Sequence, residues 1–316
     1  MKKLKQYILE SIINEGGASI EGAGPIRGDL AITVSNEIIS VVKNKFNVEM
    51  AALGSVGKKN KNQTCGDIDI AIEYDWDKYE DILNFVKDKF NCTIGNINKQ
   101  LHVFNFGYLY DEDGKQKIVQ VDFMFTDNVD FATFAYNSPD FNKNESKYKG
   151  MYQSGLLMAI ISNTPVEEVL GDEYSPEYFT KDDYDGSYDG QLKSFWKLYF
   201  DQNKGLKVEH KTYAGKTKPT KNPSTIKEDS KVITKNISEI LRMCLGDKAT
   251  RETCISFESE LAFITSSDYK FYSKERLENI KNDFINDWQL KMKTTPELMK
   301  ELETIIDNEI NNKNNI

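Results

Sequence analysis

Two acids set two residues apart, Asp67 and Asp69, lie in the run Gly66-Asp67-Ile68-Asp69-Ile70. A third, Asp122, lies in Val119-Gln120-Val121-Asp122-Phe123-Met124-Phe125. Ile68, Ile70 and Ile72 alternate with Asp67, Asp69 and Ala71, a period of two that predicts a strand over 68–74. Residues two apart on a strand leave the same face, ~6.5–7 Å apart along the backbone. Asp122 is the polar residue of a similar alternation, so a strand over 117–125 beside the first would bring three carboxylates to one face. Such a cluster repels itself and calls for a cation. An oxygen-only ligand set suits Mg²⁺ or Mn²⁺. Two such ions ~3.5–4 Å apart clamp the attacking and leaving oxygens of a phosphoryl transfer. An Asp-x-Asp pair alone is most often the wet side of an amphipathic strand. What lifts it here is the third acid and the upstream Leu53-Gly54-Ser55-Val56-Gly57, followed by Lys58, Lys59 and Lys61. Gly54 lets the backbone approach a ligand. The Ser55 hydroxyl and the next N–H groups can hold phosphate oxygens, and Lys58 can screen a triphosphate. The stretch is not a Walker A loop, which requires GxxxxGK[ST].

These residues need elements to hold them. Apolar periodicity predicts a helix over 2–14, a glycine-rich loop through Gly28, and a helix capped by Ser35 and running to Phe46. A short strand over Val48–Leu53 should precede the Gly-Ser, and Asp77 should cap a helix to about Phe90. Segments 101–110 and 117–125 flank Asp113-Gly114, a hairpin-turn pair. The order of elements predicts an α+β domain over 1–140 with a mixed or antiparallel sheet. From 141 to 316 the pattern predicts a mainly α-helical domain, with helices near 144–162, 189–202, 224–246, 251–265, 274–291 and 296–311. In the last, Thr295 caps, Pro296 sits in the first turn, and Leu298, Leu302, Ile305, Ile306 and Ile310 form the stripe.

Composition excludes several classes. The chain has 316 residues, net charge −9, two histidines and four cysteines without CxxC spacing. These counts argue against a histidine-rich metal site and a disulfide scaffold, and point to reduced thiols of a cytoplasmic protein. No apolar run approaches ~20 residues, so no membrane span is expected, and the basic start lacks an apolar core of the secretory type. Lysine outnumbers arginine 37 to 4, a bias typical of AT-rich bacterial and phage coding sequences; phosphate contacts will therefore be lysine point charges. Residues 204–221 hold six lysines against Glu209, net +5 in an acidic chain, and read as a flexible basic loop or a mobile hairpin. Lys211, Lys216, Lys218 and Lys221 of that loop are candidates for guiding a nucleic-acid strand. Residues 172–189 are acidic and tyrosine-rich and read as a solvated loop.

Gly54-Ser55, then Asp67-Ile68-Asp69, then a distant strand acid, Asp122, resemble the polymerase-β-type nucleotidyltransferase superfamily. The spacing between Ser55 and Asp67 is one residue longer than its minimal members typically have. Within it the chain looks most similar to phage-encoded nucleotidyltransferases, in which a helix and a loop like Glu15-Gly16-Gly17 precede the Gly-Ser strand. Val121-Asp122-Phe123-Met124-Phe125, Ser138-Pro139 and Ser146-Lys147-Tyr148-Lys149-Gly150 extend the resemblance, which covers about 12–162. It implies a nucleotidyltransferase sheet followed by a helical domain, a nucleoside triphosphate donor, and two divalent ions on Asp67, Asp69 and Asp122. Gly54 and Ser55 would then hold the β- and γ-phosphates, with Lys147, Lys149 and Tyr148 near the nucleotide. The acceptor stays open on sequence: an RNA 3′ end such as that of a tRNA, a protein side chain or small molecule, or no turnover at all.

Overall fold

The computed structural model describes residues 19–57, 64–136, 148, 150–174, 191–215 and 224–312. The expected helix over 2–14, Lys58, Lys147, Lys149, Lys216, Lys218, Lys221 and most of 172–189 lie outside the described residues. The chain divides into two compact units, Met1–Glu145 and Ser146–Ile316.

In the first unit a short strand β1 (Ile26–Arg27) leads straight into helix α1 (Gly28–Phe46). Val34, Ile38 and Val42, spaced four apart, form its buried stripe. Ser35 is not the cap the sequence suggested. It sits mid-helix, 1% exposed, with its hydroxyl donating to Ile32 O. The helix starts before Ser35 because Ala31 and Val34 already belong to its buried face.

Strand β2 (Met50–Ala52), helix α2 (Gly54–Gly57), β3 (Thr64–Cys65) and β4 (Ile68–Glu73) follow. A 3₁₀ turn (Trp76–Lys78) opens helix α3 (Tyr79–Phe90), and the cap is Asp75, which accepts from Asp77 N, rather than Asp77. Next come β5 (Thr93–Asn98), β6 (Val103–Glu112), β7 (Lys115–Thr126) and helix α4 (Val129–Ala135). The five-stranded sheet runs β2-β4-β7-β6-β5. Its β4–β7 pair is parallel and the other pairs are antiparallel, the mixed sheet the sequence predicts. The β6–β7 hairpin turns on Asp113-Gly114, both at positive φ, as a primed two-residue turn demands. Edge strand β5 was not anticipated: Thr93, Asn96 and Gly95 leave no apolar alternation to detect.

One face of this sheet is oil. Ile68, Ile70, Ile72, Val119, Val121, Phe123 and Phe125 pack on α1 and α3 through Ile38, Val42, Ile82 and Val86. Among the described residues of this unit, the opposite face is covered at its ends. At one, Leu53, Ala71, Ala132 and Met124 form a small cluster under α4. At the other, residues 19–24 cross the sheet: Ile20 is 5% exposed against Gly107, and Gly24 N donates to Ile118 O.

In the second unit the central helix is α5 (Gly150–Ser162), followed by α6 (Val166–Leu170). Leu156, Leu157, Ile160 and Ile161 of α5 are all buried. Strands β8 (Gln191–Asp201), β9 (Gly205–Gly215) and β10 (Ser224–Thr234) form an antiparallel sheet with β9 in the middle. Helices α7 (Ile237–Cys244), α8 (Phe257–Ile264), α9 (Lys274–Asn286), α10 (Trp288–Lys293) and α11 (Pro296–Asn312) complete the helical region. The sheet corrects two readings: Gln191–Asp201 and Ser224–Thr234 are strands where helices were expected. Of the two alternatives for the basic segment, loop or hairpin, Gly205–Gly215 forms a hairpin strand, the central strand β9. Phe195, Trp196, Leu198, Tyr199 and Phe200 favour a pleated surface, and buried Leu198, Phe200, Leu206 and Val208 line one face of the β8–β9 pair. No helix of the described residues is long and apolar enough to cross a membrane.

Candidate active site

The face of the first sheet opposite α1 and α3 carries the three acids. The β4–β7 register places Asp69 beside Asp122, on adjacent strands ~4.8 Å apart. Asp67 immediately precedes β4, two residues from Asp69 and on its side of the sheet. One carboxylate oxygen from each of Asp67, Asp69 and Asp122 lies within 4.8 Å of the other two, and all three residues are half-buried. The flanking isoleucines, 0% exposed, anchor the strand from below and fix the direction in which its acids project.

Gly54 closes the site from the side. Leu53 N donates to Asp69 O at 2.8 Å, tying the Gly-Ser segment to β4. Gly54 has φ +55°, and a Cβ there would stand 2.9 Å from Asp69 Oδ2. Glycine is thus required twice, for the left-handed backbone and for room beside the carboxylate. Ser55 opens the single turn of α2 and is hydrogen-bonded to the Cys65 thiol, which burial pushes up from its ordinary pKa.

Two further residues act on the triad. Gln120, 2% exposed and two positions before Asp122 on the same face of β7, donates from Nε2 to Asp122 Oδ1 at 2.8 Å. Its Oε1 accepts from Ser19 Oγ at 2.8 Å and Ser19 N at 3.2 Å. The sequence offered one signal for Gln120: an amide in an otherwise apolar strand, aligned with the acid. Nothing in the sequence marked Ser19, which is 101 residues away.

Of the other sequence candidates, Tyr148 and Lys211 belong to the second unit. Tyr148 does not present its ring for stacking on a base. It is 6% exposed, packs edge-on against Tyr152 and Phe257, and donates its hydroxyl to Glu301 at 2.8 Å within the second unit. An aromatic at the start of a helix reads equally as ligand or core from sequence, and here it is core. Lys211 is placed on β9, opposite Phe195 and Glu228. Lys207 of the same strand lies between Glu209 at 3.0 Å and Asp201 at 3.8 Å.

The donor set fits divalent cations of the hard, oxygen-preferring kind. It offers three carboxylates on one face, no thiol or imidazole among the clustered ligands, and a glycine that leaves one of them room.

Comparison with known proteins agrees with this architecture. Residues 35–151 match the family model of the nucleotidyltransferase domain. No curated protein matches the chain. Among solved structures, Leishmania infantum polymerase beta in a ternary gap complex is 13% identical at a TM-score of 0.34, covering 49% of this chain and 50% of that one. Cid1, described for its RNA terminal uridylyl transferase activity, is 14% identical at a TM-score of 0.28, covering 57% and 49%. The chain thus spans about half the length of these structures, and resemblance at this level identifies no activity. With its mixed sheet and the match over 35–151, the first unit has the nucleotidyltransferase fold.

Proposed function

We propose that the protein transfers a nucleoside monophosphate from a nucleoside triphosphate to an acceptor hydroxyl and releases pyrophosphate. The observation that carries this reading is the convergence of Asp67, Asp69 and Asp122 within 4.8 Å, on a domain matched to nucleotidyltransferases. Asp67 and Asp69 would hold two divalent ions, Mg²⁺ or Mn²⁺, with Asp122 completing the site nearest the acceptor. When bound, these ions supply charge neutralisation and Lewis acidity toward the phosphoryl oxygens. Asp122 receives the proton of the attacking hydroxyl. The Gly54–Ser55 backbone and the Ser55 hydroxyl hold the β- and γ-phosphates, and Lys58, Lys147 and Lys149 neutralise the triphosphate. The acceptor oxygen attacks the α-phosphorus in line, the bond to the β-phosphate oxygen breaks, and pyrophosphate leaves. Positioning and charge stabilisation supply most of the rate.

The acceptor we favour is an RNA 3′ end. The support is the lysine-rich segment 204–221, with Lys211, Lys216, Lys218 and Lys221 as phosphate contacts in the cytosol of a bacterium or a phage-infected cell. One observation favours a second reading, transfer to a protein or small molecule: Lys207 of that segment is paired with Glu209 and Asp201, which lowers the charge it can offer a strand. Incubation with each α-labelled nucleoside triphosphate, Mg²⁺ or Mn²⁺, and total RNA tests both. Label on RNA supports the first and label on protein or a small product the second. No label with any nucleotide leaves a non-catalytic nucleotide-binding protein and refutes the proposal.

A further inference from the structure

We infer that Gln120 is a positioning residue for the third acid, held in turn by Ser19, so that residues 19–24 form part of the catalytic support. This inference rests on the reading of the triad as a cation site. Gln120 is a full amide buried on the acid-bearing face of the sheet, and burying such a group is costly unless its hydrogen bonds are made. Both ends are used. Nε2 donates to Asp122 Oδ1, and Oε1 takes two hydrogen bonds from Ser19. A flipped amide would set Oε1 against the Asp122 carboxylate and Nε2 against the Ser19 N–H, which fixes the direction of the donor. A carboxylate on a strand turns about its own χ2, a broad, soft torsion. One strong donor on Oδ1 sets that torsion and presents the carboxylate plane in a single orientation toward Asp67 and Asp69.

The rest of the segment locks the relay in place. Ile20 seats against Gly107, the residue paired with Gln120 on β6, and Ala23 bridges to Ile118. Ser19 is thereby tied to β7 on the same face that carries the acid. Groups that orient metal ligands typically change metal affinity about 10- to 100-fold when removed.

The test uses the full-length protein and Mn²⁺ alone, with free Mn²⁺ counted by electron paramagnetic resonance. Gln120→Met keeps length and volume but has no donor, and Ser19→Ala removes the anchor hydroxyl. Asp122→Asn is the benchmark. The inference expects Gln120→Met to weaken Mn²⁺ binding about 10- to 100-fold, while its melting temperature in chelator stays near that of wild type. Ser19→Ala should weaken binding in the same direction by less. If Asp122→Asn weakens Mn²⁺ binding and Gln120→Met with Ser19→Ala do not, the positioning role is overturned and the cation site stands. If Asp122→Asn itself binds Mn²⁺ like wild type, the cation site falls and the positioning role with it. Should Gln120→Met show no cooperative melt, Ser19→Ala decides by the same comparison.

Discussion

Replacing Gly54 with alanine should disable the cation site through one methyl group. The backbone there has φ +55°, where an L side chain costs about 1–2 kcal/mol. The new Cβ would stand 2.9 Å from Asp69 Oδ2. Asp69 cannot retreat by moving its backbone, because β4 is paired with β2 on one side and β7 on the other and its carbonyl accepts from Leu53. The carboxylate must turn instead, which separates it from Asp67 and Asp122. Gly54→Ala is therefore expected to lose about 1–2 kcal/mol of stability, a drop of about 2–4 °C per kcal/mol for a unit of this size. It should lose far more in Mn²⁺ affinity than in stability. Gly66→Ala is the control: its Cβ would meet nothing within 4 Å, and it adjoins Asp67. Thermal melts in chelator and Mn²⁺ titrations of both variants make the comparison. Wild-type Mn²⁺ affinity in Gly54→Ala would refute the coupling of Gly54 to the proposed cation site through Asp69.

Three further outcomes follow from the same structure. Asp67→Asn and Asp69→Asn should abolish transfer yet raise the melting temperature in chelator. Like charges at 4.8 Å repel by about 1 kcal/mol even at the dielectric of water, and a lower melting point would mark the acids as structural ion-pair partners. Glu260 in α8 is 0% exposed and bonded to Gln153, and burial holds its carboxyl well above the usual carboxylate range. The folded state keeps its proton while the unfolded state releases it. Stability is therefore full below the unfolded value near 4.3 and falls by about 1.4 kcal/mol per pH unit above it. Glu260→Gln should match wild type near pH 4 and melt higher by a margin that grows as the pH rises above the unfolded value; a margin independent of pH would contradict this. If Lys211, Lys216, Lys218 and Lys221 guide RNA, changing all four to Gln should flatten the salt dependence of RNA binding by up to about 3 in slope and spare nucleotide binding. An unchanged slope moves the acceptor to protein or small molecule.

What could be read from the sequence was whatever local chemistry encodes. The Ile68-Ile70-Ile72 alternation, the Asp113-Gly114 turn and the Thr295-Pro296 start each needed only their neighbours, and each recurs in the structure. The pairing of Asp69 with Asp122 followed because both strands alternate in phase. The sheet β8–β10 was hidden because Leu192, Phe195, Trp196 and Tyr199 also stand at helical spacing, and only cross-strand pairing distinguishes the two periods. The places of Ser35 and Tyr148 were not legible, because a small polar residue and an aromatic suit surface and core alike until neighbours are known. The Ser19–Gln120–Asp122 relay depends on a contact across 101 residues, which no local pattern records.

The central claim is that this site moves the α-phosphate and not the γ-phosphate. The direct measurement runs α-labelled and γ-labelled nucleoside triphosphate in parallel with Mg²⁺ or Mn²⁺ and total RNA, using wild type and Asp69→Asn. The account predicts that wild type passes the α-label to an acceptor and releases the γ-label as pyrophosphate, with both lost in chelator and in Asp69→Asn. Transfer of the γ-label to an acceptor, or α-label transfer that survives in Asp69→Asn, would contradict it.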